Sequence, residues 1–178
     1  MTDVNHSKTK SALTGPFDSL RDYMAAIEDL GQVLHVSGLD QDSYEATGFM
    51  YRLIDKLGWA EAPAVVFKNI KINGQWQDGP IIANQYGRWE SEGLAFGVDP
   101  SGDEQYITYQ NVLSKLADLA TKDKQWKEVQ PNEVERKTAP CKEVVVKEHD
   151  INMLDFPFLQ TNPGDAGPYI NTGSVILE

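Results

Sequence analysis

The sequence predicts a mixed α/β (α+β) N-terminal domain followed by a β-rich remainder. Three observations predict it. Amphipathic helical stripes alternate with short β-branched runs as far as about residue 130. The character then changes to short extended phrases broken by Pro and Gly. Of the 178 residues, 40% are hydrophobic and 24% charged, the balance of a folded globular chain.

Met1–Gly15 carries no periodicity and is expected to be a mobile leader. The N-terminal α/β domain is expected over 16–130. Ser19-x-x-Asp22 has the form of a capping box, and Leu20, Tyr23, Met24, Ile27 and Leu30 share one helical face up to Gly31. Gln32–Val36 reads as a strand. A second helix is expected over Ser43–Leu57, with Ala46, Met50, Leu53, Ile54 and Leu57 as its stripe. Ala64–Ile70 has the β-branched and aromatic content of a buried strand, and Asn73-Gly74 marks a turn within a small hairpin over Lys71–Gln77. Pro80–Gln85 is a further strand, and Gly87–Phe96 holds a short helix. The longest helical pattern runs from about Asp103 to Val129, with Tyr109, Val112, Leu113, Leu116 and Ala120 on one face. In 131–178, Cys141–Lys147 is expected to form a strand centred on Val144–Val146. Asn162–Pro168 is turn chemistry, and Tyr169–Leu177 is a last strand. An apolar strand that runs into Glu178 needs a partner, so Glu178 is not expected to be the natural end of a folding unit.

Composition excludes several classes of function. Sixteen Lys and Arg against twenty-seven Asp and Glu give a net charge of −11, which opposes phosphate-backbone binding. No apolar run is long enough to span a bilayer, and Met1–Leu13 lacks the apolar stretch of a secretory signal. A single cysteine, Cys141, rules out an intrachain disulfide and a cysteine-rich zinc site. The expected setting is the cytoplasm.

Few residues offer chemistry. Glu90 and Glu92 beside Trp89 read as a solvated face. Glu143, Glu148, His149 and Asp150 include metal-ligating types, but their spacing favours no metal, and surface charge is the simpler reading. His35 is expected at a satisfied core or edge position, and Cys141 as a buried small hydrophobe. The turn Pro163–Gly167 could approach a phosphate through its backbone, yet it matches neither a P-loop nor a dinucleotide fingerprint. Thr172 and Ser174 share one face of the last strand.

Four stretches then acquire meaning together. They are Phe17-Asp18-Ser19-Leu20-Arg21-Asp22-Tyr23 with Leu30-Gly31-Gln32-Val33-Leu34-His35-Val36; Pro63-Ala64-Val65-Val66-Phe67-Lys68-Asn69-Ile70-Lys71; Ala139–Val144 with Asp150–Leu154; and Asn162–Gly173. Their order and spacing over about 160 residues resemble the N-terminal part of the UbiD family of decarboxylases. The resemblance implies that 131–178 is a linker and the first strands of a split β-barrel flavin-binding domain. It implies reversible, non-oxidative decarboxylation of an aromatic or α,β-unsaturated carboxylic acid. The cofactors would be prenylated FMN, a divalent metal (Mn2+ or Mg2+) and K+. The partners would be the carboxylic acid substrate and the rest of the decarboxylase, in the same or a second chain, within a homo-oligomer (dimer or hexamer).

The same resemblance places the catalytic Glu-Arg-Glu trio and the metal-holding Asn, His and Glu beyond Glu178. Thr172 is then the cofactor-binding candidate, lining one wall of the cavity. No catalytic or metal residue is assigned, and the chain by itself is expected to be inactive. Two alternatives stand beside this reading: a non-catalytic assembly or regulatory subunit of a decarboxylase complex, and a small flavin-binding protein of unrelated activity.

Overall fold

A computed structural model describes residues 14–99, 105–120 and 130–169. Helix α1 (Leu20–Asp29) leads to strand β1 (Val33–Asp40), a 3-10 turn at Gln41–Ser43 and helix α2 (Glu45–Leu57). Strands β2 (Ala64–Ile72), β3 (Gln75–Gln77) and β4 (Ile81–Ala83) follow, then α3 (Trp89–Ala95) and α4 (Gln105–Leu119). This is a mixed α/β architecture around a four-stranded sheet.

β2 is the centre of the sheet. It runs parallel to β1, the two being joined through α2, and antiparallel to both β3 and β4. Ala64 and Val66 face Tyr23, Met24, Ala26 and Ile27 of α1 and Leu94 of α3. Val65 and Phe67 face Ala46, Phe49, Met50 and Leu53 of α2. The apolar run is therefore covered on both faces, as its lack of polar alternation requires.

That alternation breaks after Phe67. Ile70 and Ile72 lie on the α2 side with Val65 and Phe67, an odd-to-even switch that a regular strand cannot make. Asn69 has a φ of +49°, and Gly38, which lies alongside it on β1, has a φ of +77°. Val36 and Leu39 consequently both reach the α2 side. On the other edge of β2, Ile70 pairs with Gln77 and Phe67 with Ile81. Lys68 and Asn69 thus face Asp78, Gly79 and Pro80, one residue more, which is a bulge. Gly79 sits at φ +56°, and a Cβ there would lie 2.7 Å from the Phe67 carbonyl oxygen.

Local signals formed much as expected. The Ser19 hydroxyl accepts from the Asp22 amide at 3.1 Å and donates to the Asp22 carboxylate at 2.7 Å, capping α1. Leu20 is an exception to the α1 stripe, being exposed. Asn73 and Gly74 both have positive φ, which suits the tight β2–β3 hairpin. Gly93 lets α3 and α4 approach closely, since a Cβ there would lie 2.4 Å from the methyl of buried Thr108.

Other expectations require correction. The first strand continues to Asp40 rather than ending at Val36, because it pairs with β2 along its whole length. α2 begins at Glu45, not Ser43: Gln41–Ser43 closes a 3-10 turn and Tyr44 takes a φ of +59°. α4 ends at Leu119, and 121–129 lie outside the described residues. On α4 Val112 is the buried member of the stripe, whereas Leu113 is exposed. Cys141–Lys147 is not a strand. Pro140–Lys142 forms a 3-10 turn, and Val144, Val145 and Val146 are exposed and unpaired among the described residues. An extended segment with no neighbour cannot form a ladder. Tyr169 is the last described residue, so most of the strand expected over Tyr169–Leu177 lies outside them.

Candidate functional site

The segment that leads toward Thr172 is tied to the α/β domain at the 3-10 turn after β1. Buried Gln41 donates through Nε2 to the Gln160 carbonyl and to Thr47 Oγ1, both at 2.9 Å. Its Oε1 accepts from the Thr47 amide at 3.2 Å. One amide side chain thus fastens the turn, the start of α2 and the incoming segment. Leu159 packs beside it against the α2-side core.

Beyond Gln160 the loop is self-organised. The Asp165 carboxylate accepts from the Asn162 amide at 2.9 Å and from Thr161 Oγ1 at 3.3 Å. Gln160 Nε2 reaches across to the carbonyls of Asn162 and Asp165 at 3.2 and 3.0 Å. Thr161 Oγ1 and the Tyr169 hydroxyl lie 3.0 Å apart and close the loop. Asn162–Asp165 is the expected turn, with the Asp165 amide donating to the Asn162 carbonyl at 3.1 Å. A polar cavity of about 140 Å³ lies between this loop and Gln41, Asp42 and Asn73.

The floor of that cavity is held by Asp42. Its two carboxylate oxygens accept from the amides of Asn73 and Gly74 at 2.8 and 2.7 Å. Next to it, Lys71 Nζ and the Asp40 carboxylate lie 2.9 Å apart. The hydrogen bond from Lys71 holds the Asp40 carboxyl below the usual carboxylate range, and the same bond raises the lysine.

A larger, open depression of about 650 Å³ lies where the β4–α3 loop meets the end of α2. Trp59, Tyr86 and Trp89 supply its aromatic surface. Tyr86 stacks on Tyr23 with ring centroids 5.4 Å apart, and the Tyr23 hydroxyl donates to the Gln85 carbonyl at 2.5 Å. Burial first, then the neighbouring Tyr86 and Glu92, push that phenol well above its ordinary range. Asn84, at φ +56°, donates to the carbonyls of Ala62 and Pro63.

The expected site residues fall apart rather than together. Thr172 and Ser174 lie outside the described residues. Glu90 is buried, not solvated: Arg88 Nε lies 3.0 Å from its carboxylate, while the same guanidinium meets the Glu61 carboxylate at 3.2 Å and its carbonyl at 3.0 Å. The paired charge offsets the cost of burying Glu90. His35 is a satisfied edge residue, 2.6 Å from Glu28. Cys141 is exposed rather than buried, as are the residues on either side of it. Glu143, Glu148, His149 and Asp150 are exposed, and no three His, Cys, Asp or Glu side chains converge as a metal site among the described residues. The donors on these residues do not fit a flavin-bound divalent ion by themselves. Gln41, Asp42 and Asp165 escaped notice in the sequence. Asp165 sat inside a recognised turn, but nothing local marks Gln41 as the anchor of a residue 119 positions away.

A family model, the UbiD 3-octaprenyl-4-hydroxybenzoate carboxy-lyase Rift-related domain, matches residues 132–178. A phenolic acid decarboxylase of Sedimentibacter hydroxybenzoicus is 29% identical over 163 residues, covering 90% of this chain and 30% of that protein. The vanillic acid decarboxylase of the same organism, ShVdcCD, solved in its open form, superposes with a TM-score of 0.65 at 26% identity. It covers 86% of this chain and 30% of that one. A second structure of that enzyme, with truncated ShVdcD, superposes with a TM-score of 0.64 at 28% identity. No helix among the described residues is long and apolar enough to cross a membrane. The chain spans less than a third of the curated relative it matches, and it is similar to the N-terminal part of a UbiD-type carboxy-lyase.

Proposed function

We propose that this chain is the N-terminal portion of a UbiD-like enzyme that carries out reversible, non-oxidative decarboxylation of an aromatic or α,β-unsaturated carboxylic acid. The observation that carries the reading is the continuity of the match. The likeness to one decarboxylase runs over nearly the whole chain, and the carboxy-lyase family model begins within it at residue 132. On this reading 131–178 opens a split β-barrel flavin domain that the rest of the enzyme completes, in the same or a second chain.

Prenylated FMN, with a divalent metal and K+, would supply the electron sink for loss of CO₂. The described residues do not hold that group, so their work is to position. Gln41 and Asp165 fix the loop from which the chain proceeds to Thr172, the residue assigned here to the cofactor wall. The α2-side core, against which Leu159 packs, makes the base on which that loop rests. The enzyme would be cytoplasmic and homo-oligomeric.

The test is an assay of the native assembly, isolated through this chain and offered aromatic carboxylic acids under anaerobic conditions. The expected result is flavin absorbance with CO₂ release, both reduced by Thr172→Ala, and neither from the 178-residue chain alone. An assembly with neither flavin nor CO₂ release contradicts the proposal. Turnover indifferent to Thr172→Ala favours a non-catalytic assembly or regulatory role for this chain.

A further inference from the structure

The open depression of about 650 Å³ beside the β4–α3 loop falls within the roughly 300–1,000 Å³ of small-molecule sites. Its aromatic walls stand in solvent: Trp59 is 74% exposed, Tyr86 57% and Trp89 39%. Three rings bare together around one concavity differ from aromatics scattered singly over a surface. The walls are set from behind by the α/β domain itself. Tyr86 stacks on buried Tyr23, and Trp89 lies against Tyr109 with ring centroids 4.9 Å apart. Asn84 Nδ2 donates to the Ala62 and Pro63 carbonyls at 2.9 and 3.1 Å, and Arg88 ties the loop to the Glu61 carbonyl. The lining residues all lie between 59 and 89, far from the segment matched by the carboxy-lyase family model.

The lining selects for charge as well as shape. None of its seven described residues is Lys, Arg, Asp or Glu. Arg88, between the lining residues Gly87 and Trp89, is already held by the Glu61 carboxylate at 3.2 Å and the Glu90 carboxylate at 3.0 Å. A ligand carboxylate would therefore leave water without a cation to meet it, beside two carboxylates grouped on one guanidinium. A neutral ring meets no such cost, and contact with three aromatic walls favours it. The Asn84 amide nitrogen is committed to two carbonyls, which leaves Oδ1 to accept from a ligand hydroxyl. Seven lining residues are too few for a standard protein interface, which takes about 20–30 residues a side.

We propose that this depression binds a neutral hydroxy-aromatic molecule, its ring against Trp59, Tyr86 and Trp89 and its hydroxyl on Asn84 Oδ1. Loss of CO₂ from a hydroxybenzoate-type acid, with a proton taken up in its place, leaves a molecule of this class. The site therefore accepts the product class and refuses the anionic substrate class. That link to the reaction rests on the decarboxylase reading above; the binding itself does not.

Fluorine NMR of the native assembly, with fluorotryptophan carried only by this chain, tests the site residue by residue. Trp59→Phe, Trp76→Phe and Trp89→Phe assign the signals. Phenol, the probe, should shift Trp59 and Trp89 saturably, with a midpoint on the order of millimolar, the range open to a ligand of about seven heavy atoms. Trp76, outside the depression, should not move. Benzoate, the same ring with a carboxylate, should bind at least about tenfold more weakly. Trp59→Ala, at a position exposed enough to leave the fold intact, should weaken phenol binding read at Trp89 by about tenfold. No saturable shift, benzoate binding as tightly as phenol, or indifference to Trp59→Ala would each overturn the proposal. So would a Trp59 already shielded from a soluble quencher by another polypeptide before phenol is added. The two readings fail separately. Phenol binding without CO₂ release sinks only the decarboxylase reading, whereas CO₂ release without phenol at these tryptophans sinks only the site.

Discussion

Gln41 Nε2 donates to the Gln160 carbonyl at 2.9 Å, across 119 positions of sequence, and Gln41 is 4% exposed. This contact joins the α/β domain to the segment matched by the carboxy-lyase family model. Removing the side chain strands a carbonyl at Gln160 and an amide at Thr47. Gln41→Ala should cost about 1–3 kcal/mol in chemical denaturation. The amides of 160–165 should exchange faster while those of α1 do not. A loss confined to α1 would contradict the role assigned to Gln41.

Asp42 governs the hairpin turn in the way a capping residue governs a helix start. Asp42→Ala frees the amides of Asn73 and Gly74 and should lower stability by about 1 kcal/mol. Gly74→Ala acts on the same turn by a different route. At φ +76° a Cβ is strained, at a cost of about 1–2 kcal/mol. Thermal denaturation of both variants checks the pair.

The Asp40–Lys71 pair sets a pH dependence. The Asp40 carboxyl is held below its unfolded range, so its contribution is complete above that range and fades as pH falls through the depressed folded value. Lys71 is raised, so its contribution is complete below the ordinary lysine range and is lost as pH rises through the raised value. Stability should therefore be insensitive to this pair near neutrality and weaken at both extremes. Asp40→Asn should flatten the acid limb of a stability–pH curve. An unchanged acid limb would show that the contact does not persist in solution.

Burial ranks the core variants. Ile27 is fully buried between α1 and β2, and Ile27→Ala should cost about 2–5 kcal/mol. On α4, Val112→Ala should cost about 2 kcal/mol, as two buried methyl groups are lost. Leu116 is only half-buried, so Leu116→Ala should fall below the Ile27 range. Urea titrations read all three, and Leu116 proving the costliest would move the α4 face.

The elements that were legible in the sequence are those whose signal is local. Ser19 and Asp22 cap α1 through their own neighbours, and Asn73-Gly74 makes its turn within β2–β3. Val144–Val146 has the composition of a strand, but strand formation needs a ladder partner that composition cannot supply. Glu90 looked solvated because what fixes its partner is remote: Arg88, two residues away, turns onto it while held by Glu61 of the α2–β2 connection. The switch of faces at Gly38 and Asn69 was hidden too, since it depends on two adjacent strands adopting positive φ together. The family resemblance was readable because four separated phrases kept their order, which no single residue pattern would have revealed.

The most direct test is native mass spectrometry of each assembly that contains peptides of Phe17–Asp165, purified from the cells that make it. The account predicts a mass well above that of 178 residues, with prenylated FMN released on denaturation. A particle of this chain alone, free of flavin and stable at its own mass, would contradict it.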